Sequence, residues 1–205
     1  MAQGDKPHHE ISMSAGIMTN QAYDTRLTYQ YYLNKSIGVG ASFGYYKQWH
    51  ANHIPQSELH HEEWDSWRLS EKDCKPQNIY LEPSLSINSP AIAQVGRWSF
   101  KLGVDFGVMF QLPYTLVNVK YINTTTQASQ QKSIHTNDMQ WCFWDIRPTV
   151  RVESNNIFVA LGYGFSDFDV YSSYRKISVQ GKAFDDFYPK KKLNNSFFLS
   201  VGGYF

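Results

Sequence analysis

The sequence predicts an all-β chain whose eight antiparallel strands close into an up-and-down barrel that spans a membrane. Three observations lead to this fold class. Large apolar residues alternate with small or polar residues in eight separate segments, which is the period of a β-strand. Short turns and long loops separate these segments in near alternation. The face opposite the apolar one carries glycine, serine and charged residues, which cannot form a dry protein core.

The composition indicates one folded domain and excludes several classes of protein. The chain has 205 residues and a formal net charge of +1, whereas nucleic-acid binding depends on excess positive charge. Charged residues make up 18% of the chain, too few for a disordered protein. Two cysteines are too few for a disulfide scaffold or a cysteine-rich zinc module. No segment approaches the roughly 18 consecutive apolar residues of a transmembrane helix.

The first three strands are predicted over residues 11–17, 26–33 and 37–45. A short connection at about 18–24 and a turn at 34–36 separate them. The apolar face of these strands consists of Ile11, Met13, Ala15, Ile17, Leu27, Tyr29, Tyr31, Leu33, Ile37, Val39, Ala41, Phe43 and Tyr45. Glycine, serine, threonine and other polar residues occupy most positions between them, so each strand has one apolar and one polar face.

The fourth and fifth strands are predicted over residues 79–87 and 98–110. A long polar loop, from about residue 49 to 76, precedes them, and a turn that starts at Asn88 separates them. The fifth strand has the cleanest alternation and is long enough to project beyond a bilayer. Pro83 lies inside the fourth strand and lacks the N–H that a central strand needs, which predicts a bulge or a local break in the ladder.

The last three strands are predicted over residues 144–152, 157–165 and 197–205. Long loops, at about 113–137 and 170–194, precede the sixth and the eighth strand, and a tight turn joins the sixth strand to the seventh. Pro148 in the sixth strand predicts a second bulge or ladder break.

The polarity of the two faces decides which one is the interior. A soluble eight-stranded barrel has its large apolar residues inside, and the alternative fold is a soluble β-sandwich with many aromatic residues in its core. Here the other face carries Glu10, Arg26, Glu82, Lys101, Asp105, Asp145, Arg147 and Arg151. An eight-stranded barrel is just wide enough for side chains to fill. We therefore expect the charges to pair in the lumen and the apolar face to contact lipid, with strands of about 9–11 residues crossing an outer membrane.

Tryptophan is expected at the two interfaces between lipid and water, where aromatic belts lie. Trp98 follows a short turn, whereas Trp49, Trp141 and Trp144 lie beside long loops. These four residues are the predicted aromatic girdle.

The pattern as a whole resembles the small outer-membrane β-barrel proteins of Gram-negative bacteria. Tyrosine-rich strands, and an Ala2-Gln3 start that looks like a trimmed signal-cleavage site, resemble the uncharacterised type common in Bacteroidota. The resemblance implies an outer-membrane protein whose signal peptide has been removed, with residues 1–205 as one barrel domain and 1–9 as a periplasmic N-terminal segment. It also implies short periplasmic turns and long extracellular loops.

The terminal segment 197–205 looks like the C-terminal assembly signal of that class, with Leu199, Val201 and Phe205 on its apolar side. The resemblance makes the barrel-assembly machinery, outer-membrane lipid and lipopolysaccharide the expected partners. A protein partner that binds the extracellular loops is a further expectation. Nucleic acid is not expected.

The loops carry two sets of residues with binding chemistry. The first loop contains His50, His53, His60, His61, Glu58, Glu62 and Glu63, which are metal-ligand types at spacings that match no established site. The third loop contains Arg175, Lys176, Lys182, Lys190, Lys191 and Lys192. We predict no metal or cofactor, and we assign Lys190, Lys191 and Lys192 as candidate contacts to lipopolysaccharide phosphates. A solvated loop that balances the acidic first loop is the alternative.

Two loops show strand alternation, which predicts hairpins that extend beyond the membrane. Residues 175–184 alternate around Gln180-Gly181, and Val117, Val119 and Tyr121 alternate in the second loop. Such hairpins present edges that can pair with a partner strand. Cys74 and Cys142 can form a disulfide in an oxidising compartment or remain free thiols.

Enzymatic and channel functions are the alternatives to a structural or interacting role. Some barrels of this size are lipid A acylases or deacylases, and His135, Thr136 and Asp138 are the residues here that suit such chemistry. No serine–histidine spacing is distinctive. We therefore predict a non-enzymatic protein, either a monomer or a subunit of a hetero-complex. It would act in membrane integrity, in surface interaction or within a larger outer-membrane machine.

Overall fold

The chain folds into a closed antiparallel barrel of eight long strands, as its sequence predicts. The computed structural model describes residues 9–51, 54–60, 63–190 and 193–205. Each strand pairs with its neighbours in the chain, and the last strand pairs with the first along nine residue pairs, which closes the barrel. The strands are β1 His9–Met18, β2 Ala22–Tyr32, β3 Ile37–Gln48, β4 Gln77–Asn88, β5 Trp98–Gln111, β6 Cys142–Ser154, β7 Ile157–Ser166 and β8 Asn194–Tyr204.

Both internal prolines interrupt one ladder without changing its register. Between β4 and β5 the pairing stops after Leu81↔Phe110 and resumes at Ser84↔Gly107. Between β6 and β7 it stops after Ile146↔Phe165 and resumes at Thr149↔Gly162. Pro83 and Pro148 lie in these gaps, and each stays paired with the strand on its other side. The prediction of a bulge or break is confirmed as a break.

The short connections lie at one end of the barrel, called here the turn end, except for residues 19–21 at the opposite end. In the turn between β2 and β3, the Asn34 side chain accepts hydrogen bonds from the N–H groups of Ser36 and Ile37. This side-chain turn explains why the four residues 33–36 suffice. His9 is the first residue of β1 and the last residue of the predicted N-terminal segment 1–9. Residues 1–8 lie outside the described part of the chain.

The three long loops fold together at the opposite end into a cap, defined as the described residues within 49–76, 112–141 and 167–193. The cap contains a four-stranded sheet made of Gln56–Glu58, Ser66–Leu69, Thr115–Ile122 and Ser129–Thr136. The hairpin predicted in the second loop is confirmed. The third loop forms a shorter hairpin than predicted, with Ser178–Val179 paired to Lys182–Ala183 around the positive-φ residues Gln180 and Gly181.

The first loop is not the irregular polar segment that its composition predicts. Its two strands in the cap sheet bury Trp67 and Leu69, each 1% exposed. The alternation of Trp67 and Leu69 with Ser66 and Arg68 is a strand signal, but it covers only four residues. Such a short signal becomes stable structure only when other strands and an apolar core cover it.

The apolar core lies in the cap and at the adjoining mouth of the barrel rather than midway along the barrel. Its main members are Met18, Tyr46, Trp67, Leu69, Tyr80, Met109, Val117, Val119, Tyr121, Phe143, Phe168, Tyr171, Tyr174, Ile177, Phe184 and Tyr188. Trp67 stacks on Phe184 with ring centroids 5.5 Å apart, and Phe168 packs edge-on against Tyr46 and Phe143. This core closes one end of the barrel, whereas the buried side chains midway along it are mostly polar or charged.

The outer surface of the barrel is apolar over all eight strands. Met13 in β1 is 68% exposed and Leu161 in β7 is 62% exposed. Further exposed members are Ile11, Ile17, Leu27, Ile37, Phe43, Leu81, Leu85, Leu102, Phe106, Val150, Ile157, Phe165, Phe197, Leu199 and Val201. Contiguous apolar surface of this extent marks a protein or membrane interaction site rather than a surface facing water. Within the described residues no helix has the length and apolar character of a membrane span.

Candidate functional site

The lumen contains a charge cluster on its cap side that is centred on Arg26. The Arg26 guanidinium donates from Nε to Asp24 Oδ2 at 2.7 Å, and from Nη1 to Glu82 Oε2 at 2.5 Å and to Asp145 Oδ2 at 2.8 Å. The Tyr80 hydroxyl donates to the other oxygen of Asp24. One cation thus links strands β2, β4 and β6 across the barrel, and all four charged side chains are buried.

A second cluster lies toward the turn end and is centred on Arg151. Its Nη2 donates to Glu10 Oε2 at 2.7 Å, and its guanidinium lies over the Phe158 ring, 3.8 Å from the centroid. The Tyr32 hydroxyl donates to the same Glu10 oxygen at 2.8 Å. Burying these charges is tolerable because each is paired and hydrogen-bonded.

Lys101 extends the second cluster to the edge of the barrel. Its ammonium pairs with the carboxylate of Glu153, which also accepts a hydrogen bond from the Tyr204 hydroxyl at 2.9 Å. Six of the eight charges that the sequence assigns to the lumen therefore lie in ion pairs. They are Glu10, Arg26, Glu82, Lys101, Asp145 and Arg151.

The remaining two, Asp105 and Arg147, are directly opposed on β5 and β6, but within the described residues neither forms an ion pair. The Arg147 guanidinium instead lies on the Phe198 ring, 3.6 Å from the centroid. Its Nε is buried without a hydrogen-bond partner. The sequence thus predicts the face on which these two residues lie, and the aromatic ring replaces the expected carboxylate partner.

Several members of the two clusters are absent from the sequence-based set: Asp24, Tyr32, Tyr80, Glu153 and Tyr204. Asp24 and Arg26 share a face of β2. Extending the predicted strand back from residue 26 to residue 24 therefore places Asp24 in the lumen. Glu153 is assigned by its sequence to a turn, whereas β6 continues to Ser154. The tyrosines follow the lumen parity of their strands, but tyrosine alone does not indicate an ion-pair partner.

Little open volume remains in the lumen. A cavity of about 40 Å³ lies between the clusters, beside Asp105, Arg147 and Thr149. A second cavity, of about 90 Å³, opens at the turn end beside Lys35, Lys101 and Glu153. Volumes of this size hold a few water molecules. The cap core lies at the opposite end of the barrel.

The predicted girdle residues lie on the outer surface at the two ends of the barrel. Trp98 is the first residue of β5 at the turn end, whereas Trp49, Trp141 and Trp144 lie near the cap end. All four side chains are exposed, and Trp141 packs against Phe110 at 5.6 Å between centroids. The terminal strand points Leu199 and Val201 outward, and Phe205 stacks on His9 at 5.4 Å.

The loop residues of metal-ligand type do not converge on one site in the described part of the chain. His50, Glu58, His60 and Glu63 lie there, whereas His53, His61 and Glu62 fall outside it. No group of three or more metal-ligand side chains forms among the described residues. Lys190 is exposed, and Lys191 and Lys192 lie outside the described residues.

The other basic residues of the third loop have partners within the cap. Arg175 pairs with Asp169 and donates to the Pro189 carbonyl at 2.9 Å. Lys176 lies 3.6 Å from Asp138. The His135 ring stacks on Tyr114 with centroids 5.9 Å apart. His135 and Asp138 therefore have neighbours other than a serine nucleophile.

Both cysteines are free thiols. Cys74 is buried in the cap core, where its Sγ donates to the Glu71 carbonyl at 3.1 Å, and Cys142 is exposed at the start of β6. Burial raises the pKa of the Cys74 thiol and those of the nearby Tyr174 and Tyr188 hydroxyls. The Tyr188 hydroxyl donates to the Cys74 carbonyl at 3.0 Å. The cap interior therefore favours the neutral form of each of these groups.

Comparison with solved structures returns outer-membrane barrels at very low sequence identity. Neisserial surface protein A matches with a TM-score of 0.49 and 8% identity, over 96% of this chain and 96% of that chain. A major outer membrane protein from Thermus thermophilus matches with a TM-score of 0.47 and 12% identity, over 96% and 99%. The N-terminal β-barrel domain of Pseudomonas aeruginosa OprF matches with a TM-score of 0.45 and 10% identity, over 98% and 100%.

Sequence comparison adds no relative to this set. No protein-family model matches the chain, and no curated protein matches it significantly. The class to which the fold assigns this chain is the closed eight-stranded antiparallel barrel.

Proposed function

We propose that this chain is an integral outer-membrane barrel of a Gram-negative bacterium that anchors a folded cap on the cell surface and carries out no catalysis. The observation that supports this most directly is the inversion of polarity. Residues such as Met13 and Leu161 face outward, whereas Arg26, Glu82 and Asp145 are buried inside. Only an apolar surrounding makes this arrangement favourable, because water would solvate the charges better and the exposed apolar residues worse.

The filled lumen favours an anchor over a channel. Arg26 and its three carboxylates cross the barrel from β2 to β4 and β6, and aromatic residues of the cap cover the opening above them. An ion that passed through would have to separate buried ion pairs, which costs several kcal/mol per unpaired charge. The role in surface interaction is therefore preferred to that of a narrow channel.

The cap favours a role outside the barrel. Its interior contains an apolar core, and its four-stranded sheet ends in the edge strand Ser129–Thr136, whose residues are mostly exposed. In the proposed orientation the cap is extracellular and the turn end is periplasmic. Outer-membrane lipid, lipopolysaccharide and the barrel-assembly machinery are its proposed partners, the last through Leu199, Val201 and Phe205. The tyrosine-rich strands favour the Bacteroidota type.

Folding in detergent tests the membrane assignment. The chain is refolded with and without detergent micelles and run on a gel before and after boiling. A compact, fast-migrating band that forms only with detergent and shifts only on boiling is the expected result. A chain that folds and stays soluble without detergent would contradict the proposal.

Conductance measurements test whether the barrel is a channel, and protease accessibility on intact cells tests whether the cap is extracellular. In planar bilayers the folded protein is expected to show no steady conductance, and steady single-channel currents would favour the channel instead. On intact cells, added protease is expected to cleave within the cap and to leave the barrel strands intact. Cleavage only after the outer membrane is permeabilised would reverse the proposed orientation.

A further inference from the structure

The cap sheet carries one row of polar side chains across all four of its strands. The ladder pairs Gln56 with Arg68, Arg68 with Lys120, and Lys120 with Gln131. Directly opposed residues share a face of a sheet, and all four side chains are exposed. Neighbouring strands lie about 4.8 Å apart, so this basic row spans about 14 Å.

Two positive charges lie side by side at the centre of the basic row. Directly opposed like charges destabilise a sheet. Within the described residues neither Arg68 nor Lys120 forms an ion pair or a hydrogen bond that would offset this repulsion. The opposite face of the same strands packs Trp67 and Val119 into the cap core, which holds the backbones of Arg68 and Lys120 next to each other.

Two carboxylates that share a cleft with the row have other partners. Asp73 accepts hydrogen bonds from Ser70 Oγ at 2.5 Å and from Asn118 Nδ2 at 3.3 Å. Glu71 pairs with Lys75 at 3.1 Å. Arg68 and Lys120 are therefore available to an anion that comes from outside the chain.

A cleft of about 480 Å³ surrounds the basic row, within the usual range for small-molecule sites. Glu71 and Asp73 also line this cleft, so they would repel a ligand with many anionic groups. A ligand with one anionic group and several neutral hydroxyls matches the row better. The amides of Gln56 and Gln131 flank the two cations and can both donate to and accept from hydroxyls.

We propose that the basic row binds a sugar that carries one phosphate or sulfate ester. The ester oxygens lie between the Arg68 guanidinium and the Lys120 ammonium, and the sugar hydroxyls bind Gln56 and Gln131. Charge-assisted hydrogen bonds to such oxygens are the strongest contacts that these side chains make. The site relies on the proposed function only for its position on the outside of the cell.

Calorimetric titration of the full chain in neutral detergent micelles tests the site at low salt. The probes are glucose 6-phosphate, glucose 6-sulfate, glucose and inorganic phosphate. At least one of the two esters is expected to bind more tightly than glucose and inorganic phosphate, and less tightly as salt is added. Inorganic phosphate that binds as tightly as the esters would overturn the assignment to a sugar. Absence of binding by either ester would overturn the site.

Variants distinguish binding at the basic row from nonspecific attraction to other positive charges on the surface. The double substitution Arg68→Gln with Lys120→Gln is expected to weaken ester binding by about tenfold or more. Lys132→Gln is the matched control, because Lys132 lies one residue beyond Gln131 and outside the row, and it should leave affinity unchanged. Equal affinity in the wild type and the double variant would overturn the proposal.

Folding of each variant is checked by the heat-dependent gel shift. If the double variant does not fold, the exchange Arg68→Lys with Lys120→Arg keeps both charges, and the single variants Arg68→Gln and Lys120→Gln each remove one. Binding should survive the exchange and weaken in each single variant; the reverse pattern would contradict the site. Sugar binding by a chain that folds without detergent would sink the membrane assignment while leaving this site intact.

Discussion

Arg26 in β2 donates a hydrogen bond of 2.8 Å to Asp145 in β6, a residue 119 positions further along the chain. The same guanidinium nitrogen donates to Glu82 in β4. These bonds join three strands that are not neighbours in the sheet, through the interior of the barrel. The ion pairs in the lumen thus hold distant strands together. Arg26 has several of these partners and is therefore the first residue to substitute.

Replacing Arg26 by methionine is expected to destabilise the barrel by about 3–5 kcal/mol, because it leaves Asp24, Glu82 and Asp145 buried together without their cation. Urea unfolding in detergent measures the effect. Arg97→Met is the matched control, since Arg97 is exposed in a turn. Equal stability of the two variants would show that the cluster contributes little to the folded state.

Leu161→Lys is expected to destabilise the barrel in a bilayer by about 2–4 kcal/mol if the residue lies near the midplane. Leu161 is exposed on the outer surface of β7, where the proposal places lipid. Leu116→Lys provides the comparison, because Leu116 is exposed on the cap instead. Unfolding from lipid vesicles is the measurement. A cap substitution as costly as the barrel substitution would count against a membrane around the barrel.

Gly44→Ala is expected to destabilise the barrel by about 1–3 kcal/mol through overpacking. A Cβ at this position would lie 2.1 Å from Cζ of Tyr80, whose hydroxyl is bound to Asp24. Ala41→Leu on the outward face of the same strand adds more volume but meets only the surroundings of the barrel. It should be tolerated in detergent. A stable Gly44→Ala barrel would mean that Tyr80 is not held in its place.

The two thiols are expected to differ in their reaction with maleimide. Exposed Cys142 should react in the folded protein, whereas Cys74 should react only after unfolding, because it is buried and its pKa is raised. Counting labelled thiols by mass before and after denaturation checks this. Rapid labelling of both in the folded state would show that the cap interior is open.

Alkaline pH is expected to loosen the cap. Burial raises the pKa values of Cys74 and Tyr188, so the unfolded chain loses these protons first. Stability is therefore complete below the ordinary pKa values and falls as the pH rises above about 8.5 for the thiol and about 10 for tyrosine. In a Cys142→Ser background, the labelling rate of Cys74 should rise with pH more steeply than thiol ionisation alone requires. Tyr188→Phe should remove the part of this rise that belongs to Tyr188.

The strands and the polarity of their faces follow from the sequence because they depend on neighbours in the chain. Alternation of period two identifies the eight barrel strands, since successive side chains of a strand point to opposite faces. Pro83 and Pro148 predict the ladder breaks, because the missing N–H is a property of the proline itself. For the same local reason, strand alternation alone predicts the face on which Glu10 or Arg151 lies.

The residues that contact those charges, and the strands that form in the cap, can be identified only from the tertiary structure. Arg26 meets Asp145, and Arg147 meets the Phe198 ring rather than Asp105, because barrel closure and side-chain packing bring residues from different strands together. The short strands of the first loop are stable only under the aromatic core that all three loops build. Arg68 and Lys120, 52 positions apart by their numbering, become neighbours through the register of the cap sheet. The sequence alone predicts which segments are barrel strands and which face of each strand is apolar. Long-range packing decides which segments come into contact, because register and closure depend on contacts between distant residues.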